Sequence, residues 1–119
     1  MKYILLLLSL PAFMQDGCKK KNGNNSQAGI PTCIQQKIDS IKQEPKWNPP
    51  AQVDEYTYDG RTVYLFNSNC CDQYNIVLDS ACRYICAPTG GFSGRGDGKC
   101  ADFEKNARHV RLMWKDARY

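Results

Sequence analysis

The sequence contains one histidine among its 119 residues, His109. A mechanism that pairs a serine or cysteine nucleophile with a histidine base would depend entirely on that side chain. Its neighbours in the sequence supply it with neither an acid nor a nucleophile. The cysteines also lack the Cys-x-x-Cys spacing of redox catalysts and the ligand spacing of zinc sites. We therefore predict that the protein is not an enzyme and that it holds no cofactor and no metal.

The longest apolar run, Tyr3–Met14, has 12 residues. A bilayer-spanning helix needs roughly 20, whereas the apolar region of an export signal has roughly 7 to 15. A small residue and a cysteine, Gly17-Cys18, follow the run, as in a bacterial lipoprotein signal. We predict a signal peptide over residues 1–17 and attachment of lipid, including palmitate, to Cys18. Because Gln15-Asp16 departs from the usual pattern, an ordinary secretory signal and an uncleaved anchor remain alternatives.

The net charge of +4 is concentrated near the proposed lipid site, at Lys19–Lys21. From Gln27 onward, 12 Lys and Arg residues stand against 11 Asp and Glu residues, a net charge of +1. We therefore expect no nucleic-acid partner. The lysines favour either contact with anionic lipid head groups or a solvated tether. Residues 18–30 are expected to be a flexible tether, and residues 31–119 a single domain on the periplasmic or cell-surface side of a membrane.

Six cysteines remain after Cys18, and an even number in an exported chain predicts a disulfide framework. Adjacent cysteines would close a strained ring, and two cysteines four positions apart on one strand would lie about 13 Å apart. These two arguments exclude Cys70–Cys71 and Cys82–Cys86. A two-residue loop at Asp79-Ser80 would place Cys86 diagonal to Cys71, which makes Cys71–Cys86 the preferred pair. The six cysteines are Cys33, Cys70, Cys71, Cys82, Cys86 and Cys100.

Apolar spacing predicts one helix early in the domain. Ile34, Ile38 and Ile41 fall on one helical stripe, Thr32 is suited to begin a capping box with Gln35, and Pro45 ends the helix. Trp47 is expected to cover the core just beyond the helix, with ligand stacking as the alternative.

Alternating segments after the helix predict an antiparallel β-meander. Strands are expected at 52–58, 61–66, 74–78 and 81–87, with a last strand near 110–115. Asp59-Gly60 is a strong hairpin signal. The predicted fold is an α+β domain in which one N-terminal helix packs on a small antiparallel meander stabilised by disulfides.

Five glycines fall between Pro88 and Cys100. This segment lacks the spacing of a phosphate-binding loop and the alternating carboxylates of a calcium loop. The tripeptide Arg95-Gly96-Asp97 resembles an integrin-recognition motif, but three residues often recur by chance. We expect a structured loop held at its ends by Cys86 and Cys100. Phe92, its only large apolar residue, and Arg95 form a candidate interaction loop, and Phe92 is predicted to be exposed.

The blocks NCCDQYN and CRYICAPTGGFSGRGDGKCADF, with CIQQKIDSIKQEPKWNPP before them, resemble an uncharacterised family of small, cysteine-rich lipoproteins from Gram-negative bacteria. The resemblance covers roughly residues 32–116 and implies no activity. The expected function is a membrane-tethered binding or interaction module of the cell envelope. Its partners would be the bilayer, through acylated Cys18, and an unknown envelope protein or ligand. An inhibitor of a secreted or periplasmic hydrolase and a structural spacer are the alternatives.

Overall fold

The computed structural model describes residues 29–118. The predicted signal peptide, most of the tether and the lipid site Cys18 lie outside this range. Within it, an antiparallel five-stranded sheet is accompanied by one helix of 11 residues and one of four. The elements are α1 (Thr32–Lys42), β1 (Gln52–Tyr58), β2 (Arg61–Phe66), β3 (Tyr74–Leu78), β4 (Tyr84–Gly90), α2 (Phe103–Asn106) and β5 (Arg108–Lys115).

The first hairpin, β1 with β2, forms at the predicted Asp59-Gly60 turn. Both residues have positive φ, 48° and 72°, as a two-residue turn of the mirror-image type requires. Tyr58 therefore pairs with Arg61 across the turn. The expected bounds of β1, β2 and β3 are confirmed.

The sheet has the strand order β4-β3-β2-β1-β5. The last strand, β5, pairs with β1 and lies at the edge of the sheet. Its register against β1 shifts twice, between Val53 and Asp54 and between Glu55 and Tyr56. These irregularities decide which side chains of β5 face those of β1.

One face of the sheet packs against α1. The isoleucine stripe of α1 is almost fully buried and joins a core that includes Val53, Tyr64, Phe66, Leu78 and Met113. The expected capping box does not form. Pro31 precedes the helix, and its carbonyl accepts a hydrogen bond from the backbone amide of Gln35 at 2.9 Å. The side chain of Gln35 donates instead to the carboxylate of Asp39 at 3.0 Å.

The C-terminus of α1 is held by Arg118. Its guanidinium donates to the carbonyls of Lys42 at 3.2 Å and Glu44 at 2.9 Å, which satisfies acceptors that have no partner within the helix. Asp116, buried at 5% exposure, binds the same guanidinium at 2.7 Å. The hydrogen bonds from Arg118 lower the pKa of Asp116 despite its burial.

The opposite face of the sheet is covered by the segment that contains α2. Phe103 packs there with Tyr58, Val63 and Val77. Tyr58 donates its hydroxyl to Asp102 at 2.6 Å, and this bond, with burial, raises the pKa of Tyr58 to about 12.

The turn between β3 and β4 is wider than the two residues predicted. The carboxylate of Asp79 accepts the amides of Ala81 and Arg83, each at 2.9 Å, and Cys82 takes a positive φ of 60°. Strand β4 consequently begins at Tyr84 instead of Ala81. Cys86 then pairs with Val77, and the predicted placement of Cys86 diagonal to Cys71 is wrong.

The disulfide prediction is wrong in its preferred pair. The structure joins Cys33 to Cys82 and Cys86 to Cys100, with Cα atoms 5.9 Å apart in each pair. It also joins Cys70 to Cys71, which the ring argument had excluded, at a turn where Cys71 has a positive φ of 57°. Cys71–Cys86 fails because the wide Asp79 turn moves β4. All six cysteines of the predicted framework are paired.

Candidate interaction surface

The candidate interaction loop is shorter than the predicted segment from Pro88 to Lys99, because β4 extends to Gly90. It comprises residues 91–99 and leaves the sheet at the end of β4. Cys86 lies within β4 and Cys100 just beyond the loop, and the two are bonded to each other rather than to separate partners in the body of the domain. Both are buried, at 1% and 3% exposure. The bond therefore fixes both ends of the loop against the core.

Backbone hydrogen bonds hold the loop along the outer edge of β4. The amide of Gly96 donates to the carbonyl of Gly90 at 3.0 Å, and the amide of Asp97 donates to the carbonyl of Ala87 at 2.9 Å. Gly96 has a φ of 74°, and a Cβ atom there would overlap the carbonyl oxygen of Ala87. This position requires glycine both for its φ and for its close approach to β4.

Asp97 links the loop to β4 through side chains. The hydroxyl of Tyr84 donates to its carboxylate, and the amide of Lys99 does so at 2.9 Å. Burial alone would raise the pKa of Asp97, but these hydrogen bonds lower it. Burial and the same contact raise the pKa of Tyr84 to about 12. Because its carboxylate is engaged, Asp97 is not presented as the free acid that the integrin-like interpretation of Arg95-Gly96-Asp97 requires.

Phe92 lies at the outer part of the loop and is 94% exposed, which confirms its predicted exposure. Arg95 is also exposed, and its side chain forms no ion pair with residues 29–118. The amide of Arg95 is held by the hydroxyl of Ser93 at 3.2 Å. The loop thus presents an aromatic ring and a guanidinium from a backbone that is already ordered.

Tyr74 extends the exposed aromatic surface towards β3. It pairs with Gly90, its ring passes next to Gly91, and it is 46% exposed. Any side chain at Gly91 would collide with this ring. Tyr74 also borders a cleft between α1 and the segment that joins β2 to β3.

One polar pair was missed by the sequence analysis. His109 lies 2.8 Å from the carboxylate of Asp54 and edge-on to the ring of Tyr56, with ring centroids 5.1 Å apart. Glu55 points to the other face and binds Arg111 at 2.7 Å, as expected for consecutive strand residues. The pairing of β5 with β1 brings His109 to Asp54, and residue spacing in the sequence carries no signal for that register.

The described part of the chain contains no group of three or more His, Cys, Asp or Glu residues placed to hold a metal ion. No helix within residues 29–118 is long and apolar enough to cross a bilayer.

Comparison with models of protein families matches residues 39–116 to a domain of unknown function, DUF6970. The chain belongs to the DUF6970 family. The match agrees with the predicted resemblance to an uncharacterised family. The DUF6970 region includes all five strands and five of the six paired cysteines, whereas Cys33 precedes it. No curated protein and no solved structure matches the chain.

Proposed function

We propose that this DUF6970 protein is a membrane-tethered binding module of the cell envelope, and that residues 91–99 contact an envelope protein. The observation that carries the proposal is the 94% exposure of Phe92 on a loop held at both ends and along its length. Such a loop loses little conformational entropy on binding. Aromatic and Arg residues are also frequent binding hot spots.

The cellular location proposed for the protein follows from its N-terminal sequence and its disulfides. We infer a lipoprotein of a Gram-negative bacterium, exported by residues 1–17 and anchored through acylated Cys18 on the periplasmic or cell-surface side. Disulfides between buried cysteines favour an oxidising compartment. The near-neutral domain supports a protein or lipid partner rather than a nucleic acid. The proposed role is non-catalytic and needs no cofactor.

Inhibition of a secreted or periplasmic hydrolase is the second candidate function. A held loop with a projecting Phe92 suits insertion into a cleft of an enzyme, because little rearrangement is needed on binding. A structural spacer is the third hypothesis, and it would require neither a pocket nor an exposed apolar patch.

The test places a photoreactive phenylalanine analogue at position 92 of the full-length chain and illuminates intact envelopes. The control carries the analogue at Val110, a residue of β5 that is 51% exposed. We expect a discrete protein adduct at position 92 and none at position 110. Equal labelling at both positions, or none at either, would contradict recognition through the loop.

A companion variant, Phe92→Ala, separates binding from folding. Because the ring is 94% exposed, its removal should leave the melting temperature nearly unchanged. The partner identified by crosslinking should no longer co-purify with the Phe92→Ala variant. If the partner is a hydrolase, the wild-type chain should reduce its activity and Phe92→Ala should not. A large loss of thermal stability would show that Phe92 is a structural residue.

A further inference from the structure

A cleft of about 510 Å³ lies between α1 and the segment that joins β2 to β3. Its volume falls within the range of roughly 300 to 1,000 Å³ that is usual for small-molecule sites. The cleft adjoins loop 91–99 through Tyr74 and through Gln73, whose carbonyl accepts a hydrogen bond from the amide of Gly91, but Phe92 does not line it. It is therefore a separate surface on which to look for a ligand.

The walls of the cleft include two aromatic side chains that solvent can reach. Trp47 is partly buried against the core, and its indole N–H donates to Glu44 at 2.7 Å, so its ring does not need a further polar partner. Tyr74 is 46% exposed. Phe66, with 2% exposure, forms part of the floor, and the ammonium of Lys37 lies 5.6 Å from its ring centroid.

Polar side chains on the same rim are free to accept and donate hydrogen bonds. Asn69, Asp72 and Gln73 are exposed, and none of their side chains bonds to another residue in the described part of the chain. Asn67, by contrast, already hydrogen-bonds to the backbone of residues 50 and 52. The side-chain oxygen of Asn67 accepts a hydrogen bond from the backbone N–H of Gln52 at 2.7 Å, and its side-chain NH₂ group donates to the carbonyl of Pro50 at 2.8 Å.

The charges in the cleft argue against an anionic ligand. The lining holds one cation, Lys37, and two carboxylates, Glu44 and Asp72. Lys37 is directed at the ring of Phe66, and Glu44 already binds Trp47. Asp72 remains exposed on the rim, where it would repel a phosphate or a carboxylate.

We propose that this cleft binds a neutral oligosaccharide. The apolar C–H face of a sugar ring can pack on the rings of Trp47 and Tyr74, which removes apolar surface from water. The hydroxyl groups around that ring both donate and accept hydrogen bonds. The amides of Asn69 and Gln73 and the carboxylate of Asp72 supply the complementary groups.

The test titrates three trisaccharides, chitotriose, cellotriose and maltotriose, into the full-length protein by calorimetry. The protein is held in a zwitterionic detergent, because detergents with sugar head groups would compete for the cleft. We expect at least one trisaccharide to bind, and Tyr74→Ala to weaken that binding by about tenfold or more. Tyr84→Ala is the matched control, since Tyr84 is also 46% exposed but lies outside the cleft, and it should change the affinity by less than about twofold.

Two surface substitutions keep the proposal testable if Tyr74→Ala unfolds the domain. Asp72→Asn and Gln73→Ala alter exposed rim residues and should each weaken binding by several fold without changing the melting temperature. Absence of binding for all three trisaccharides would overturn the proposal, as would equal effects of Tyr74→Ala and Tyr84→Ala. Phe92→Ala should leave saccharide binding unchanged, so this proposal and the proposed protein contact can fail independently.

Discussion

Gly96→Ala should destabilise the domain far more than Gly94→Ala, although the two glycines have the same φ of 74°. A non-glycine residue in this left-handed region costs roughly 1 to 2 kcal/mol, and both variants bear that cost. A Cβ atom at position 94 meets open space. At position 96 it overlaps the carbonyl oxygen of Ala87 and lies 2.7 Å from the carbonyl carbon of Pro88. The difference between the variants therefore isolates the contact between the loop and β4.

The magnitude follows from the hydrogen bonds that the clash displaces. Relieving the overlap moves residue 96 away from β4 and breaks two backbone bonds, from Gly96 to Gly90 and from Asp97 to Ala87. At about 1 kcal/mol each, their loss makes Gly96→Ala less stable than Gly94→Ala by roughly 2 kcal/mol. In a domain of this size, that difference lowers the melting temperature by roughly a further 8 to 16 °C.

Thermal unfolding of the oxidised variants, followed by circular dichroism, measures this difference. Hydrogen exchange at the amide of Asp97 reports whether the loop has left β4, including the case in which it detaches while the sheet stays folded. We expect rapid exchange there in Gly96→Ala and protection in Gly94→Ala. If the two variants melt within about 2 °C of each other and both protect Asp97, the loop is not held by this contact.

Three further outcomes are expected. Intact mass should show a mature chain that begins at acylated Cys18, and a Cys18→Ser variant that partitions into detergent like the wild type would remove the lipid assignment. During stepwise reduction, alkylation should label exposed Cys70 and Cys71 before buried Cys86 and Cys100, because thiolate attack needs access to sulfur; labelling in the reverse order would contradict this. Four carboxyl groups have a lower pKa in the folded state than in the unfolded state. Their contribution to the free energy of unfolding should be fully present above the unfolded pKa of about 4 and should decrease as the pH falls below it. Arg118→Gln should lower the melting temperature at neutral pH and should reduce this acid-induced loss of stability, and an unchanged pH profile would argue against the Arg118 contact. The four groups are Asp79, Asp97, Asp102 and Asp116.

Local signals in the sequence located the first three strands correctly. The Asp59-Gly60 turn was predictable because a two-residue turn with positive φ at both positions has few sequence solutions. The exposure of Phe92 was predictable for a related reason, since a glycine-rich loop offers a large apolar side chain little to pack against. Both features depend on residues close together in the chain.

Two kinds of feature were not predictable: a turn that is reshaped by a side chain binding nearby backbone amides, and a contact between residues distant in the sequence. Asp79 also looked like part of a two-residue turn, but its carboxylate captures the amides of Ala81 and Arg83 and widens the loop. This shift carried Cys86 away from Cys71 and made the disulfide prediction wrong. The pair of His109 and Asp54 was missed for a similar reason, because it depends on the irregular register of β5 against β1.

The two edges of the sheet differ in their capacity for assembly. Loop 91–99 occupies hydrogen-bonding positions along the outer edge of β4, whereas the outer edge of β5 has no strand partner among residues 29–118. A sheet with two open edges can add copies without limit, as fibrils do. Here, antiparallel pairing of β5 with a second β5 would consume the open edge of both copies. Addition of copies through the sheet would therefore stop at a closed dimer. Replacement of Gly96 would reopen the second edge, the outer edge of β4.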